Sequence, residues 1–230
     1  MREAAIVFST INERPQRSGG AGRTVAYRLA QNEQGLDLYF DSITRQARSA
    51  SGCRKSGYHR HMPMLIIFGG LPGTGKTAIA QQLARELGAV YLRIDSMEQA
   101  IRDSGVVSNS LNDAGYRVGY VVAEDNLRLG RTVVADSVNP LRLTRDAWIS
   151  VADRTQRRAI EVEVTCSDPA QHRHRVETRI ADICGLRLPT WQEVVSREYQ
   201  PWDREHIVID TTSQSVAENV RELREGLREQ

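Results

Sequence analysis

The chain has 230 residues, of which 40% are hydrophobic and 26% charged, and its net charge is +2 at neutral pH. This composition is typical of a soluble globular protein, and no apolar run has the length of a membrane span. Three cysteines in no metal-binding spacing argue against a disulfide framework and indicate a reducing compartment. Since the N-terminus also lacks the apolar core of a secretory signal, we expect a cytoplasmic protein.

The charge is unevenly distributed along the chain. Residues 1–63 contain ten Arg and Lys against five Asp and Glu, which leaves a net charge of −3 for residues 64–230. The first segment has too little apolar surface to form a core of its own. Three interpretations remain open for it: a disordered basic tail, a translated region upstream of a natural start at Met62 or Met64, or a nucleic-acid-binding arm. We therefore predict one folded domain, residues 64–230, after a poorly structured N-terminal segment.

A glycine-rich loop lies near the start of this domain. Leu65 to Phe68 form an apolar run typical of a buried strand, and the next residues, Gly70-Leu-Pro-Gly-Thr-Gly-Lys-Thr77, match the pattern G-x-x-x-x-G-K-[ST]. Apolar residues then recur at helical spacing up to Leu87. Glycines let the backbone turn its N–H groups inward on an anion, and the new helix points its positive end at the same place.

We expect this loop to bind the phosphates of ATP. Lys76 would reach the β- and γ-phosphates, and the Thr77 hydroxyl would bind Mg²⁺. Lys76 is the only lysine after Lys55 in a chain that otherwise uses arginine, as expected where a compact ammonium is needed. The residues expected to hold the nucleotide here are Gly70, Gly73, Thr74, Gly75, Lys76, Thr77 and Ala78.

Strands and helices alternate through the rest of the chain. Apolar runs predict strands over residues 89–94, 131–136, 159–165 and 206–210. Helical spacing and capping residues predict helices over residues 95–103, 113–129, 144–153, 168–183, 189–199 and 216–227. Glu161 and Glu163 alternate with apolar residues, which indicates a strand with one wetter face. The alternation as a whole predicts an α/β fold with a five-stranded parallel sheet covered on both faces. Together with the phosphate-binding pattern, this arrangement resembles a P-loop NTPase three-layer sandwich.

Acidic residues stand at the ends of three predicted strands, where parallel sheets bind ligands. Asp136 either holds Mg²⁺, usually through water, or caps the next turn. Asp95 either accepts the proton of an acceptor hydroxyl and aims its oxygen at the γ-phosphate, or forms an N-cap box with Glu98. Asp210 ends the last strand. We expect these carboxylates and the glycine-rich loop to gather at one edge of the sheet.

An arginine-rich segment follows the fourth predicted strand. Arg173, Arg175 and Arg179 lie on one predicted helix, where positions 175 and 179 share a face. These arginines either close over the triphosphate or form a solvated face that pairs with Glu177 and Asp182.

For several further residues the sequence either allows two roles or indicates no functional site. Two arginines close to Asp95 either hold an anionic acceptor or are surface charges: Arg93 and Arg102. Three histidines show no metal-binding arrangement and are expected on the surface: His172, His174 and His206. Three aromatic residues either stack on the base or sugar of an acceptor or pack in the core: Trp191, Tyr199 and Trp202.

Four motifs together define a family resemblance. They are Gly70 to Thr77, Arg93-Ile-Asp95, Val133-Val-Ala-Asp-Ser-Val-Asn-Pro140 with Thr144-Arg145 and Trp148, and His172 to Arg179. On these motifs, residues 64–227 resemble the P-loop kinase group of AAA-family ATPase-like domains. That group includes polynucleotide kinases, zeta toxins, chloramphenicol phosphotransferase and adenylylsulfate kinase.

The resemblance implies ATP and Mg²⁺ as cofactors and assigns a role to each matching residue. It implies that Lys76 and Thr77 bind phosphate and Mg²⁺, and that Asp136 lies at the metal. Asp95 would be the catalytic base, and Arg175 and Arg179 would belong to a lid. The loop 210–212, with Asp210 and Thr211, would lie near adenine.

These observations predict an ATP- and Mg²⁺-dependent phosphotransferase that moves the γ-phosphate to a hydroxyl of a small molecule or of a nucleic-acid end. Ser137 follows Asp136 where remodelling ATPases with the AAA label have a second acid, which favours transfer over hydrolysis. The alternatives are an ATP-binding switch or slow ATPase that acts through a protein or RNA partner, and a toxin-like kinase of a nucleotide sugar. No pattern indicates a membrane, an obligatory protein partner or the identity of the acceptor.

Overall fold

The computed structural model of this chain describes residues 62–105 and 111–229, so the predictions for residues 1–61 lie outside the described part. The described strands are β1 (Met64–Gly69), β2 (Val90–Arg93), β3 (Val133–Asp136), β4 (Arg158–Thr165) and β5 (Ile207–Asp210). The described helices are α1 (Lys76–Leu87), α2 (Ile94–Asp103), α3 (Ala114–Arg128), α4 (Arg142–Thr155), α5 (Pro169–Thr178), α6 (Trp191–Val195) and α7 (Val216–Glu229).

The strands form one sheet in the order β2-β3-β1-β4-β5, and every neighbouring pair is parallel. β1 lies at the centre, where Leu65 pairs with Val133 of β3 and with Ala159 of β4. The carboxyl ends of the strands therefore meet at one edge, and the glycine-rich loop leaves β1 at that edge. The predicted α/β fold with a five-stranded parallel sheet is confirmed.

Helices cover both faces of the sheet because the central strand is apolar on both sides. Leu65, Ile66, Ile67 and Phe68 are fully buried. Ile66 and Phe68 pack in one core with α1 and α7, whereas Leu65 and Ile67 pack in a second core with α3 and α4. Within the described residues, no helix has both the length and the apolar character needed to cross a membrane.

The first departure from the predicted elements is at the end of the second strand. β2 ends at Arg93 and α2 begins at Ile94, so Asp95 lies inside the first turn of the helix rather than at its predicted start. Ile94 is buried in the second core, and the helix begins one residue earlier than predicted. Arg93 is therefore the N-cap residue, and the predicted N-cap box of Asp95 and Glu98 is wrong.

The arginine-rich helix is also shorter than predicted. α5 ends at Thr178 rather than at residue 183, because Arg179 adopts an extended conformation with φ −62° and ψ 133°. Residues 179–190, which we call the lid segment, are not helical. Within this segment Asp182 bonds to Arg93 of β2, a contact that a continued helix does not supply. Long-range pairing thus replaces the helical hydrogen bonds that the sequence pattern suggests.

The face of β4 that carries the two glutamates is the less buried one, as predicted, since Ile160, Val162 and Val164 are buried whereas Glu163 and Thr165 are half-buried. Residues 199–206 cover part of this face. Nε of Arg204 lies 2.7 Å from Oε2 of Glu161, and the Tyr199 hydroxyl donates to Glu163 over 2.9 Å. Burial raises the pKa of Glu161 above its usual value, although Arg204 acts in the opposite direction. α6 ends at Val195 rather than at residue 199, and the residues after it reach these glutamates.

Arg145 of α4 connects this covering segment to the loop after β3. Its side chain is fully buried and donates to the carbonyl oxygens of Asn139 (3.2 Å), Gln200 (3.1 Å) and Pro201 (3.0 Å). We expect Arg145→Met to lower the free energy of unfolding by about 2–4 kcal/mol, because these carbonyl oxygens lose their donor. Urea unfolding measures the change. Arg142→Met, at a side chain that is 65% exposed, is the control, and equal losses in both variants would contradict the prediction.

Candidate active site

The glycine-rich loop runs from the end of β1 to the first residue of α1. Gly70 donates its N–H to the carbonyl oxygen of Val138 (3.0 Å) with a φ of 135°, a conformation that favours glycine. At Gly73, which has a φ of 88°, a Cβ atom would strike Val176 of α5. No side chain caps α1 at Gly75. The loop therefore offers backbone donors and the positive end of a helix to an anion.

A buried ion pair lies beside this loop. Nζ of Lys76 is 3.3 Å from Oδ1 of Asp136, the last residue of β3, and the Tyr91 hydroxyl donates to Oδ2 over 2.6 Å. Burial raises the pKa of Asp136, but the Lys76 ammonium and the hydroxyls of Tyr91 and Thr77 outweigh it and hold that pKa below its usual value. The carboxylate is therefore charged at neutral pH.

The oxygen atoms of this cluster fit Mg²⁺. The Thr77 hydroxyl and the Asp136 carboxylate are hydrogen-bonding neighbours, and oxygen ligands are those that Mg²⁺ prefers. In residues 62–105 and 111–229, no group of three His, Cys, Asp or Glu residues could hold a metal alone. Mg²⁺ usually keeps several waters and takes phosphate oxygens as ligands, so one carboxylate is sufficient. The predicted metal ligands are thus brought together, and their role stays a prediction.

A cavity of about 450 Å³ opens beside the loop. One wall is formed by loop residues and the start of α1, including Gly73, Lys76 and Thr77. The other wall is formed by α5 and the lid segment, with Arg175 and Arg179. This volume lies within the range of about 300–1,000 Å³ that small-molecule sites occupy. The structure therefore brings the predicted phosphate-binding residues and the predicted lid arginines to one cavity.

The two predicted lid arginines differ in their contacts. Arg175 donates to the side-chain and carbonyl oxygens of Thr211 (2.7 and 2.9 Å), and the Thr211 hydroxyl donates to the carbonyl oxygen of Thr74 (2.7 Å). Arg179 lies just beyond the end of α5, so the two do not share a helical face as predicted. The alternative of a solvated face applies to Arg173, which is exposed and pairs with Glu177 over 2.8 Å.

Asp210 joins the ends of β4 and β5. Its carboxylate accepts hydrogen bonds from the side chain and the backbone N–H of Ser167 and from the side chain and the backbone N–H of Thr212. These bonds, with the Ser167 side chain first, lower the pKa of Asp210 to about 2. The neighbouring Thr211 is hydrogen-bonded to Thr74 of the glycine-rich loop. The predicted contact of residues 210–212 with adenine stays a prediction.

Asp95 lies half-buried in the first turn of α2. Its carboxylate forms no hydrogen bond or ion pair with a described residue. Burial is the main reason why the pKa values of Glu98 and Tyr116 are raised, and the negative charge of Asp95 adds a smaller increase. The Tyr116 hydroxyl accepts the N–H of Asn139 (3.2 Å) in the loop that follows Asp136. The carboxylate of Asp95 is therefore unpaired within the described part. It lies near the edge of the sheet at which Thr77 and Asp136 would hold Mg²⁺.

His172 contradicts the prediction of a surface residue. It is buried on α5, and its Nε2 lies 2.8 Å from the carbonyl oxygen of Pro72 in the glycine-rich loop. A Cβ atom at Gly73 would meet both His172 and Val176. The signal in the sequence is the spacing of His172 and Val176, which puts them on one helical face. His174 is exposed, as predicted.

The aromatic residues and the remaining histidine pack within the protein. Trp191 contacts the His172 ring edge-on at 5.2 Å. Trp202 stacks on His206 at 4.8 Å and donates to the Tyr199 hydroxyl over 2.9 Å. His206 is half-buried and lies 2.8 Å from a backbone carbonyl oxygen through Nδ1, so its prediction as a surface residue is wrong. These half-buried rings contact other side chains of the protein, and stacking of Trp191, Tyr199 or Trp202 on an acceptor stays a prediction.

A strand, a glycine-rich loop that begins a helix and a carboxylate beside the loop lysine define the site of a P-loop protein. Residues 65–183, just over half of the chain, match the model of a family described as AAA domain, and the chain belongs to this family. The predicted resemblance to the P-loop kinase group of AAA-family ATPase-like domains fits this family match and the fold of the solved structures below. No curated protein matches the chain.

Solved structures agree with this assignment at the level of the fold. A candidate kinase from Chloroflexus aurantiacus is 23% identical with a TM-score of 0.58, and covers 72% of this chain and 98% of its own. The Mycobacterium tuberculosis APS kinase CysC, in complex with AMPPNP and APS, is 19% identical with a TM-score of 0.56, at 74% and 99% coverage. Chaetomium thermophilum Kti12, in complex with ADP-AlF3, is 20% identical with a TM-score of 0.56, at 72% and 97% coverage. At these identities the likeness shows a P-loop kinase fold.

Proposed function

We propose that this protein is an ATP- and Mg²⁺-dependent phosphotransferase that moves the γ-phosphate of ATP to a hydroxyl group of an acceptor. The observation that carries the proposal is the cavity with the glycine-rich loop and Lys76 on one wall and Arg175 and Arg179 on the other. Phosphoryl transfer is catalysed mostly by positioning and by electrostatic stabilisation of a moving trianionic group. A cavity with cations on opposite walls supplies both.

The nucleotide phosphates would lie in the glycine-rich loop. Backbone N–H groups and the start of α1 face the phosphates, and the Lys76 ammonium neutralises the charge on their β and γ positions. The Thr77 hydroxyl and the Asp136 carboxylate would hold Mg²⁺, which would neutralise part of the negative charge of the phosphates. Arg175 and Arg179 face the same cavity and would offset the charge that spreads over the transferred group.

Asp95 would act as the general base. Its unpaired carboxylate accepts the proton of the acceptor hydroxyl while the acceptor oxygen forms a bond to the γ-phosphorus. The bond between that phosphorus and the β,γ-bridging oxygen breaks, and ADP leaves with the electron pair. Ser137 follows Asp136 in place of a second acid, which supports transfer to an acceptor over activation of water. The fold is compatible with two ligands, since the M. tuberculosis APS kinase was solved with AMPPNP and APS.

A pooled acceptor screen tests the proposal. The full chain is incubated with ATP and MgCl₂ against 5′-hydroxyl oligonucleotides, nucleosides, sugars and hydroxylated antibiotics, and products are followed by mass spectrometry. We expect one acceptor class to gain a single phosphate with one ADP formed per product, and EDTA to abolish the gain. Binding of ATP without any phosphorylated product would instead support a nucleotide-binding switch that acts through a partner.

A further inference from the structure

A buried arginine lies at the end of β2, which is separated by β3 from the strand that leads into the glycine-rich loop. Arg93 ends β2 with only 6% of its side chain exposed. Its two terminal nitrogens donate to the two carboxylate oxygens of Asp182 over 2.6 and 2.9 Å, and its Nε has no hydrogen-bond partner among the described residues. Arg102, the other arginine near Asp95, is 48% exposed and pairs with Glu98. Arg93 is therefore not a surface charge, whereas Arg102 is.

The partner of this buried arginine is itself exposed. The Asp182 side chain is 52% exposed, lies in the non-helical lid segment and lines the cavity that also contains Lys76. Arg179 is a second cation near the same carboxylate, at 3.8 Å. The hydrogen bonds from Arg93 hold the pKa of Asp182 below its usual value, so the pair is ionic at neutral pH. One exposed carboxylate thus satisfies a guanidinium that the fold keeps buried.

The location of Arg93 connects it to the chemistry of the site. It is paired in register with Asp136 on the neighbouring strand, and Asp136 contacts Lys76. Asp95, the proposed base, is two residues further along the chain. An anion bound at Arg93 would therefore lie at the same edge of the sheet as Lys76 and the proposed base. That is where the acceptor of a phosphotransferase has to be held.

We propose that Asp182 occupies an oxyanion site on Arg93, and that a phosphate, sulfate or carboxylate group of a bound substrate takes its place during turnover. The planar guanidinium fork matches all three oxyanions as well as it matches Asp182. Assigning the oxyanion to the acceptor rests on the proposed function, and the alternative source is the γ-phosphate of ATP. The acceptor would then be a hydroxyl compound with an anionic group, because a neutral compound leaves Asp182 in place.

Binding of inorganic sulfate measures the exchange. Sulfate is titrated calorimetrically into the full chain with the nucleotide site first filled by ADP and Mg²⁺. We expect Asp182→Asn to bind sulfate about tenfold more tightly than the wild type, since the competing carboxylate is gone while the side-chain shape is kept. Glu177→Gln is the matched control, because it releases the exposed Arg173 on α5, and we expect it to leave sulfate affinity unchanged.

Second substitutions assign the gain to Arg93. In the Asp182→Asn background, Arg93→Gln is expected to abolish the gain, whereas Arg179→Gln is expected to keep it. Arg93→Lys keeps the charge and loses the fork, so it provides a second variant if Arg93→Gln does not fold, and it should lose most of the gain. Unchanged sulfate affinity in Asp182→Asn, or a gain that survives both Arg93 variants, would overturn the proposal.

Two further experiments distinguish the acceptor from the γ-phosphate as the source of the oxyanion, and the oxyanion site from the proposed function. If the gain persists when AMPPNP replaces ADP, the oxyanion belongs to the acceptor; if AMPPNP abolishes it, the oxyanion is the γ-phosphate. Normal binding of ADP with no Arg93-dependent gain would leave the phosphotransferase proposal intact and reject the oxyanion site. An Arg93-dependent gain in a chain that binds no nucleotide would support the oxyanion site and reject the proposed function.

Discussion

Replacing Lys76 with alanine is expected to lower the rate of phosphoryl transfer by about a hundred- to a thousandfold and to weaken ATP binding. Lys76 is the first residue of α1, and its ammonium is held 3.3 Å from Asp136 on the wall of the cavity. At this position it meets the charge that develops on the β- and γ-phosphates, and water cannot replace a preorganised cation at equal strength. Steady-state kinetics and calorimetric titration of ATP measure the two effects.

Arg85→Ala provides the matched control for this substitution. Arg85 is an exposed cation in the last turn of the same helix, so its loss changes the net charge equally without reaching the cavity. We expect its rate and ATP affinity to stay within about twofold of the wild type, as for most surface changes. Equal effects of the two substitutions would show that Lys76 acts through overall charge rather than at the phosphates.

Loss of Lys76 also changes the response of the fold to acid. The folded-state pKa of Asp136 lies below its usual value, so its ionised form stabilises the fold above about pH 3.9. This contribution is lost as the pH falls through the lower folded-state pKa. Without Lys76, burial raises the pKa of Asp136, and we expect Lys76→Ala to unfold at a higher pH than the wild type. Circular dichroism across an acid titration gives the two midpoints.

Replacing Asp95 with asparagine is expected to lower phosphoryl transfer by about a hundred- to ten-thousandfold while leaving ATP affinity unchanged. The carboxylate makes no hydrogen bond or ion pair with a described residue, so no structural contact is lost with its charge. Its proposed task is to accept the acceptor proton, which asparagine cannot do. A split between intact nucleotide binding and lost transfer is the signature of a base rather than of a structural residue.

Asp125→Asn serves as the control for Asp95→Asn. Asp125 is an exposed acid on the neighbouring helix α3, and its substitution removes the same charge away from the cavity. We expect full turnover in Asp125→Asn. Full turnover in Asp95→Asn as well would remove Asp95 from the mechanism and leave the lid arginines and Lys76 to catalyse transfer without a protein base.

The sheet and the glycine-rich loop are predictable from sequence because both depend on neighbouring residues. The apolar run at Leu65 to Phe68 is buried on both faces, and the pattern from Gly70 to Thr77 specifies its own turn. The end of β3 at Asp136 follows from the same local reasoning. These elements are sufficient to predict the fold class from the sequence.

The wall opposite the loop is not predictable in this way, because it is built by contacts between distant segments. Arg93 and Asp182 are 89 residues apart, and their pairing accompanies the early end of α5. His172 reaches Pro72 from a position 100 residues away. Helical periodicity over residues 168–183 can place His172 on one face with Val176, but it identifies neither contact partner, since Arg93 and Pro72 lie outside the window in which the pattern is read.

A single-turnover reaction with γ-labelled ATP tests the phosphotransferase assignment most directly. The full chain in excess over ATP is mixed with Mg²⁺ and the acceptor identified by the screen, and the label is followed in ATP, acceptor and inorganic phosphate. We expect the label to move from ATP to the acceptor, and this transfer to be lost in Asp95→Asn. Label that accumulates only in inorganic phosphate, or that stays in bound ATP, would contradict a phosphotransferase and identify a hydrolase or a switch.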